Sequence, residues 1–238
     1  MDEAEKELRA LLASQGELVG SITHDLKGLI NGIEGGMYFV SSGMQKGKKE
    51  RVGQGHEMMK RNLERIRRAV ASILYYVKDR EIHWTELSVL GVVSSVVKAM
   101  EDRAGHLGVT MEIEDEDGTF EGDELAVNAM LVNVVDYAIE VCHLAQKETA
   151  TSLTGSARVS EGWAIFDLRA EGFSMEEESR HLALTTYYAP RGADRSHLPL
   201  FIANRIVRKH RGTLEIMVST DPPSSRFLVK VPRSRGAG

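Results

Sequence analysis

A single cysteine, Cys142, is all that 238 residues contain. That excludes an internal disulfide framework and a cysteine-rich zinc site, and it predicts a reducing, cytoplasmic home. Basic excess is missing as well. Thirty lysines and arginines face 35 acids, a formal charge of -5, so no broad basic field exists to hold nucleic acid. The longest apolar runs fall far short of the roughly 18 residues of a membrane span. Residues Met1 to Leu12 are acidic and amphipathic, unlike the basic-then-apolar pattern of a signal peptide. Neither a membrane nor a nucleic acid is expected as a partner. Internal repeats and low-complexity tracts are absent too. What is present is 42% hydrophobic residues, enough for a packed core, in a length that suits one or two domains of roughly 150 residues.

Residues 1–82 read as a helical hairpin. Apolar residues fall at Leu11, Leu18, Ile22, Leu26, Leu29, Ile33, Met37 and Val40, mostly three and four apart, a heptad-like seam. Glycines and lysines from Ser41 to Gly55 predict the turn. A second seam follows at Met59, Leu63, Ile66, Val70, Ile73 and Val77. Two helices cannot bury such seams on each other alone, so pairing with a second copy into a four-helix bundle is expected. Packing on the rest of its own chain is the alternative.

Residues 83–233 change texture. Helices are predicted over Leu87–Arg103, Asp123–His143 and Leu198–His210. Strands are predicted at Val109–Ile113, Ala157–Val159, Trp163–Arg169, Thr213–Val218 and Phe227–Val231, with an acidic turn at Glu114–Gly118. This order points to an α+β fold with a two-layer α/β sandwich. Residues 234–238 read as a disordered tail.

One residue of the hairpin carries chemistry. His24 lies two positions from both Ile22 and Leu26, so at ~100° per residue it points about 200° from each, away from the seam. An outward imidazole is a nucleophile that is largely uncharged near neutral pH. Asp25 can orient the ring or take its proton, and Lys27, one turn on, can help neutralise a phosphoryl group. Gly28, Gly32, Gly35 and Gly36 follow along roughly one face, each costing ~1 kcal/mol relative to alanine. Such a stripped face serves either the close approach of a partner, at Gly28, Asn31 and Gly32, or tight packing inside the bundle. The remaining histidines, among them His56, His83, His106 and His143, show no metal spacing and read as surface or satisfied core residues.

The segment His24-Asp25-Leu26-Lys27 resembles the H-box of bacterial sensor histidine kinases, and the resemblance continues in order through nearly the whole chain. Leu131 to Glu140 resembles the N-box helix, Trp163 to Glu178 takes the place of the first glycine box, and Leu198 to Ile216 resembles the second glycine box with its helix and strand. The resemblance implies a histidine-kinase-type (GHKL, Bergerat-like) sandwich behind the hairpin. It also exposes three departures. Tyr137 stands where the family's magnesium-holding asparagine belongs. Ala170 replaces the adenine-binding aspartate, with Arg169 and Glu171 as poor stand-ins. His197-Leu198-Pro199 replaces a Gly-x-Gly phosphate turn, and Pro199 also deletes an N–H donor. Each buried polar group of the nucleotide left without its protein partner costs about 1–3 kcal/mol, so micromolar ATP affinity is not expected to survive.

A histidine and bundle without an ATP site resemble the dimeric histidine phosphotransferases of phosphorelays. The expected function is phosphoryl shuttling between His24 and receiver-domain aspartates, with no cofactor of its own and Mg2+ brought by the receiver. No sensor, anchor or receiver domain accompanies the two parts, so input is expected from another molecule. The rival is a non-catalytic pseudokinase that binds or sequesters a kinase or regulator. A receiver phosphatase is disfavoured by Gly28, four residues after His24, where many kinases of the family carry threonine or asparagine; Asp25 or Asn31 would have to substitute.

Overall fold

A computed structural model describes residues 3–77, 81–145, 151–185 and 197–236, with side chains described for all of these except 3–19, 21–22, 24–25, 68, 71–77 and 178. The chain divides into two compact units, one built on residues up to Leu74 with the segment ending at Leu198, and the other on Tyr75–Thr186 with Pro199–Gly238.

The first unit is a hairpin of α1 (Glu3–Gln45) and α2 (Lys49–Val77). Its turn is much shorter than expected. Only residues 46–48 leave the helices, and Gly47 takes the left-handed conformation, φ 61°, that glycine adopts without steric cost. The Lys48 N–H donates to the Gly43 carbonyl at 2.8 Å, closing α1. Ser41–Gly55 read as a loop because it is rich in glycine, but Gly43 and Gly55 are helical, and their missing side chains let the two helices touch. A Cβ on Gly55 would lie 2.5 Å from the Gly36 carbonyl oxygen, and one on Gly36 would lie 2.8 Å from that of Gly55. Arg51 braces this end. Its Nε donates to Ser42 Oγ at 2.7 Å, and the guanidinium sits 4.3 Å from the centre of the Phe39 ring.

The apolar seams split. Leu26, Leu29, Ile33, Val40, Met59 and Ile66 are half-buried within the hairpin, whereas Ile30, Met37, Met44, Leu63 and Val70 are 40–70% exposed. The exposed members recur every seven residues on each helix. Met37, Leu63 and Val70, all members of the expected seams, therefore belong to an outer stripe. Leu11, Leu18, Ile22, Ile73 and Val77 have side chains outside the described residues.

The second unit runs β1 (Thr85–Ser88), α3 (Val89–His106), β2 (Thr110–Asp115), β3 (Thr119–Gly122), α4 (Glu124–Ala145), β4 (Ser152–Ser160), β5 (Trp163–Glu171), α5 (Glu177–Thr185), α6 (Leu198–Lys209), β6 (Thr213–Thr220) and β7 (Pro223–Pro232). Five strands form one sheet in the order β2-β4-β5-β7-β6, and β1 pairs with β3 in a separate ladder. Only the β2–β4 pair in the larger sheet is parallel. Alternation decides the faces: Ala164, Phe166, Leu168 and Ala170 of β5 are buried, and the residues between them are half-buried or exposed. Their counterparts Phe227, Val229 and Val231 on β7 complete the inner face.

α4 is the central helix of the other layer. Val127, Met130, Val134, Ala138, Ile139 and Val141 are fully buried, each large side chain contributing about 1.5–3 kcal/mol of hydrophobic stabilisation. Among the described residues this is the helix long and apolar enough to cross a membrane, and two-thirds of it is covered by its own domain. A cavity of about 20 Å3 lies between the layers, lined by side chains such as Val93, Leu131, Val135 and Phe166. It is a packing gap the size of a water molecule, not a ligand site.

The strands β1 and β3 and the helix α5 were not anticipated, and Leu87–Ser88, expected to begin a helix, lie in β1. Ser88 explains where the helix starts: its hydroxyl accepts the Gly91 N–H at 3.3 Å as an N-cap. Beyond β7 the chain is stitched to the domain. Arg233 N–H donates to the Gly162 carbonyl at 2.8 Å, Glu121 N–H to the Arg233 carbonyl at 2.9 Å, and Arg235 N–H to the Glu121 carboxylate at 2.6 Å.

Candidate functional site

Two places carry the chemistry expected of this chain, one in each unit. In the hairpin, His24 and Asp25 lie within the continuous helical backbone of α1, and their side chains are outside the described residues. The next turns are described. Lys27 and Asn31 are exposed, and a Cβ added at Gly28 would meet nothing within 4 Å. Gly32, grouped with them as a docking position, sits instead against α2. A Cβ there would lie 2.6 Å from Asn62 Oδ1, and Asn62 is itself anchored by a 2.8 Å bond from Nδ2 to the Met58 carbonyl. Gly35 faces Met58 and Gly36 faces Gly55 and Met59. The glycine row thus divides: Gly28 leaves open surface one turn after His24, and the later three glycines let α1 and α2 close on each other.

In the second unit the positions that the resemblance aligns with nucleotide ligands lie in the core. Tyr137 is 3% exposed, and its ring packs edge-on against Phe227, 6.0 Å between centroids at 78°. Asn133, one turn earlier, donates its amide to the Ala129 carbonyl at 2.9 Å, within its own helix. Ala170 is fully buried in β5 between Leu153 and Ser225 of the neighbouring strands. It offers only a methyl group where the resemblance places a carboxylate. The loop after β5 is fastened to β7: Gly172 N–H donates to the Pro223 carbonyl, Ser225 Oγ donates to the Phe173 carbonyl, and the same oxygen accepts the Met175 N–H, all at 2.9–3.0 Å. At the start of α6, Pro199 occupies the first turn, where its missing N–H costs the helix nothing. Where the resemblance places the magnesium-holding asparagine and the adenine-binding aspartate, the structure thus has an aromatic core side chain and a buried methyl group. Tyr187 and Tyr188, expected over this pocket, lie outside the described residues.

Two polar clusters of this unit were not legible beforehand. Arg103 of α3 forms a mostly buried ion pair with Asp136 of α4 and reaches Glu140 at 3.7 Å. Asp136 neighbours Tyr137, so this face of α4 holds its partner helix. The second cluster centres on His210, 1% exposed. Its Nδ1 lies 2.9 Å from the Ile206 carbonyl and its Nε2 accepts the Asp123 N–H at 3.2 Å, which assigns the neutral Nδ1–H tautomer. Asp123 in turn caps α4 through the Ala126 N–H and accepts the His83 N–H, and Trp84 packs edge-on to the imidazole. Burial pushes the His210 pKa below its usual value, against the opposing pull of the Ile206 carbonyl and Asp123. It is a satisfied core histidine. Cys142 is equally withdrawn: burial raises its thiol to about 11, so it carries no nucleophile near neutral pH. Among the described residues no cluster of histidine, cysteine or carboxylate side chains is placed to hold a metal ion.

No family model matches this chain, and no curated protein matches it. Solved structures do. The histidine kinase AdeS of Acinetobacter baumannii superposes with a TM-score of 0.60 at 18% identity, over 88% of this chain and 98% of that one. The histidine kinase ThkA, solved in complex with the response regulator protein TrrA, gives a TM-score of 0.66 at 19% identity, over 97% of this chain and 65% of that one. The mycobacterial sensor histidine kinase MprB gives 0.53 at 18%, over 62% and 96%. At these identities the likeness is one of fold: a helical hairpin followed by the α/β sandwich of histidine kinase catalytic domains.

Proposed function

We propose that this chain is a histidine phosphotransferase of two-component signalling, which passes phosphoryl groups between His24 and the aspartates of receiver domains without binding ATP. The observation that carries this reading is the burial of Tyr137 against Phe227 where a nucleotide cation would sit. The sandwich keeps its fold while its ligand positions are spent on packing, and the hairpin keeps a histidine-acid-x-base sequence on a helix with open surface at Gly28. That ThkA was solved bound to a response regulator supports receivers as the partner class.

In this mechanism a ring nitrogen of His24 attacks the phosphorus of the receiver's aspartyl phosphate in line. The P–N bond forms as the P–O bond to the aspartate breaks, and the carboxylate leaves with the bonding electrons. A second receiver reverses the step. Such a transition state is loose, so the protein contributes chiefly position and charge: Asp25 orients the ring, Lys27 faces the phosphoryl oxygens, and Gly28 and Asn31 leave room for the receiver. The receiver would bring its own magnesium, which would supply charge neutralisation at the phosphoryl group. The protein acts as a cytoplasmic homodimer. The outer stripe of Ile30, Met37, Met44, Leu63 and Val70 supports the dimer, because such heptad-spaced apolar side chains are what a second hairpin would cover.

The test is phosphotransfer from a labelled receiver to the wild type and to His24→Ala. Label on the wild type alone is expected. Accelerated receiver dephosphorylation without a phosphohistidine would make the chain a phosphatase, and equal signalling in cells by both proteins would make it a non-catalytic interaction module. Calorimetric titration with magnesium ATP is expected to give no binding at micromolar concentrations.

A further inference from the structure

The net charge conceals a strong segregation. Residues 205–235 hold eight lysines and arginines against two acids, Glu215 and Asp221, in a chain of net charge -5. Folding gathers exposed members of this set. Arg208 and Lys209 lie in the last turn of α6, Arg211 in the left-handed residue that follows (φ 59°), and Arg233 and Arg235 just beyond β7. Three contacts bring these stretches together. The Arg211 guanidinium donates to the Arg235 carbonyl at 3.2 Å. Thr213 pairs with Lys230 where β6 enters the sheet. Between them the Gly212 backbone lies so close to the Lys230 carbonyl that a Cβ would stand 2.1 Å from it. Among the described residues Arg208, Arg211 and Arg233 form no ion pair. Glu121 reaches this surface by accepting the Arg235 N–H.

Cations at a helix C-terminus offset the helix dipole, at about 0.3–1 kcal/mol each, and that alone accounts for Arg208 and Lys209. It does not account for Arg211, Arg233 and Arg235, which lie outside the helix and are uncompensated by it. We infer that this surface docks an acidic face of a protein partner. Resting on the phosphotransfer reading above, that partner is the receiver. A phosphorylated receiver brings an aspartyl phosphate and the carboxylates that hold its magnesium toward a molecule of net charge -5. A local basic surface supplies the attraction that the rest of the chain opposes, acting on encounter and orientation rather than on the chemical step. An extended polyanion is disfavoured, because the same unit carries the exposed acids Glu112, Glu114, Asp115, Glu116 and Asp117.

The test uses the full chain and a purified receiver domain, with binding measured by titration and phosphotransfer measured at about 50 and 300 mM salt, where screening differs strongly. The variant is Arg208→Glu/Arg211→Glu/Arg233→Glu, with the glutamine triple variant as a milder companion and a thermal melt to show that both remain folded. The expected result is a KM and Kd raised roughly tenfold or more at low salt, a maximal transfer rate within about twofold, a gap that narrows at high salt, and an intermediate effect of glutamine. His24→Ala is expected to do the reverse, abolishing transfer with Kd intact. Unchanged KM and Kd in the charge variant overturn the docking surface while leaving phosphotransfer standing. Loss of receiver binding by the charge variant, with no transfer by the wild type, upholds the surface and removes the phosphotransfer reading. Tighter binding of the wild type to a short DNA duplex or to phosphatidylserine vesicles than to the receiver would also overturn it.

Discussion

The hairpin and the sandwich solve the problem of burial in opposite ways. The sandwich is complete in one chain: Phe227, Met130, Met100 and Leu153 are wholly buried, and Tyr137 and Ala170 are part of the same core. The hairpin is not. Its helices meet through glycines, and it leaves Met37, Tyr38 and Met44 more than half exposed. A two-layer sandwich thus closes its core within one chain, whereas the two-helix stem keeps an apolar surface exposed among the described residues.

The largest effect expected from this contrast comes from truncating an equally apolar side chain in each region. Phe227→Ala should cost the sandwich about 3–5 kcal/mol in denaturant unfolding, the range for a buried aromatic. Met37→Ala should leave the folded chain nearly as stable at high dilution and show its cost only at concentrations where copies associate, as read by sedimentation. A Met37 effect as large as that of Phe227 in a monomeric sample would break the comparison.

Next in size is the glycine contact. Gly55→Val places a side chain against the Gly36 carbonyl and Val40 N, 2.5 and 2.7 Å from the new Cβ. Overpacking of this kind costs typically about 1–3 kcal/mol. The loss should appear in the helical circular dichroism signal. Gly53→Ala, with nothing within 4 Å, should instead stabilise α2 by up to about 1 kcal/mol. Equal effects of the two would mean that the helices do not approach at Gly36.

A smaller, pH-dependent term belongs to the sandwich. His210 has a folded pKa below its unfolded value of about 6.5. The unfolded chain therefore binds more protons in that window. The contribution is fully present above pH 6.5 and is lost as pH falls toward the folded pKa. The urea midpoint of the sandwich should drop between pH 7 and pH 5, with Trp84 fluorescence as reporter in a Trp163→Phe background. A midpoint that rose on acidification would contradict the neutral, hydrogen-bonded imidazole. Smallest of all, Cys142 should resist alkylation at pH 8 in the native protein and react on unfolding, because its buried thiol titrates near 11.

Much of this was legible in the residues. The heptad intervals from Met59 to Val70 marked a hairpin, and the order of helices and strands marked the sandwich. Less was legible where one residue type serves two purposes. Glycine at 43 and 55 signals a turn or a helix contact equally well. The short strands β1 and β3 carry too few residues to show a period. His210 looked like any other histidine, because its partner Asp123 is 87 residues away.

The sequence by itself determined what is set by local spacing and residue chemistry: two amphipathic helices, an alternating sheet, and a histidine followed by an acid and then a base. Only the tertiary structure decided which glycines face another backbone, where the hairpin turns, which seam residues stay in water, and how scattered arginines from α6 and the chain end come to share one surface. These depend on which remote atoms arrive beside a residue, and distance along a chain carries no record of that.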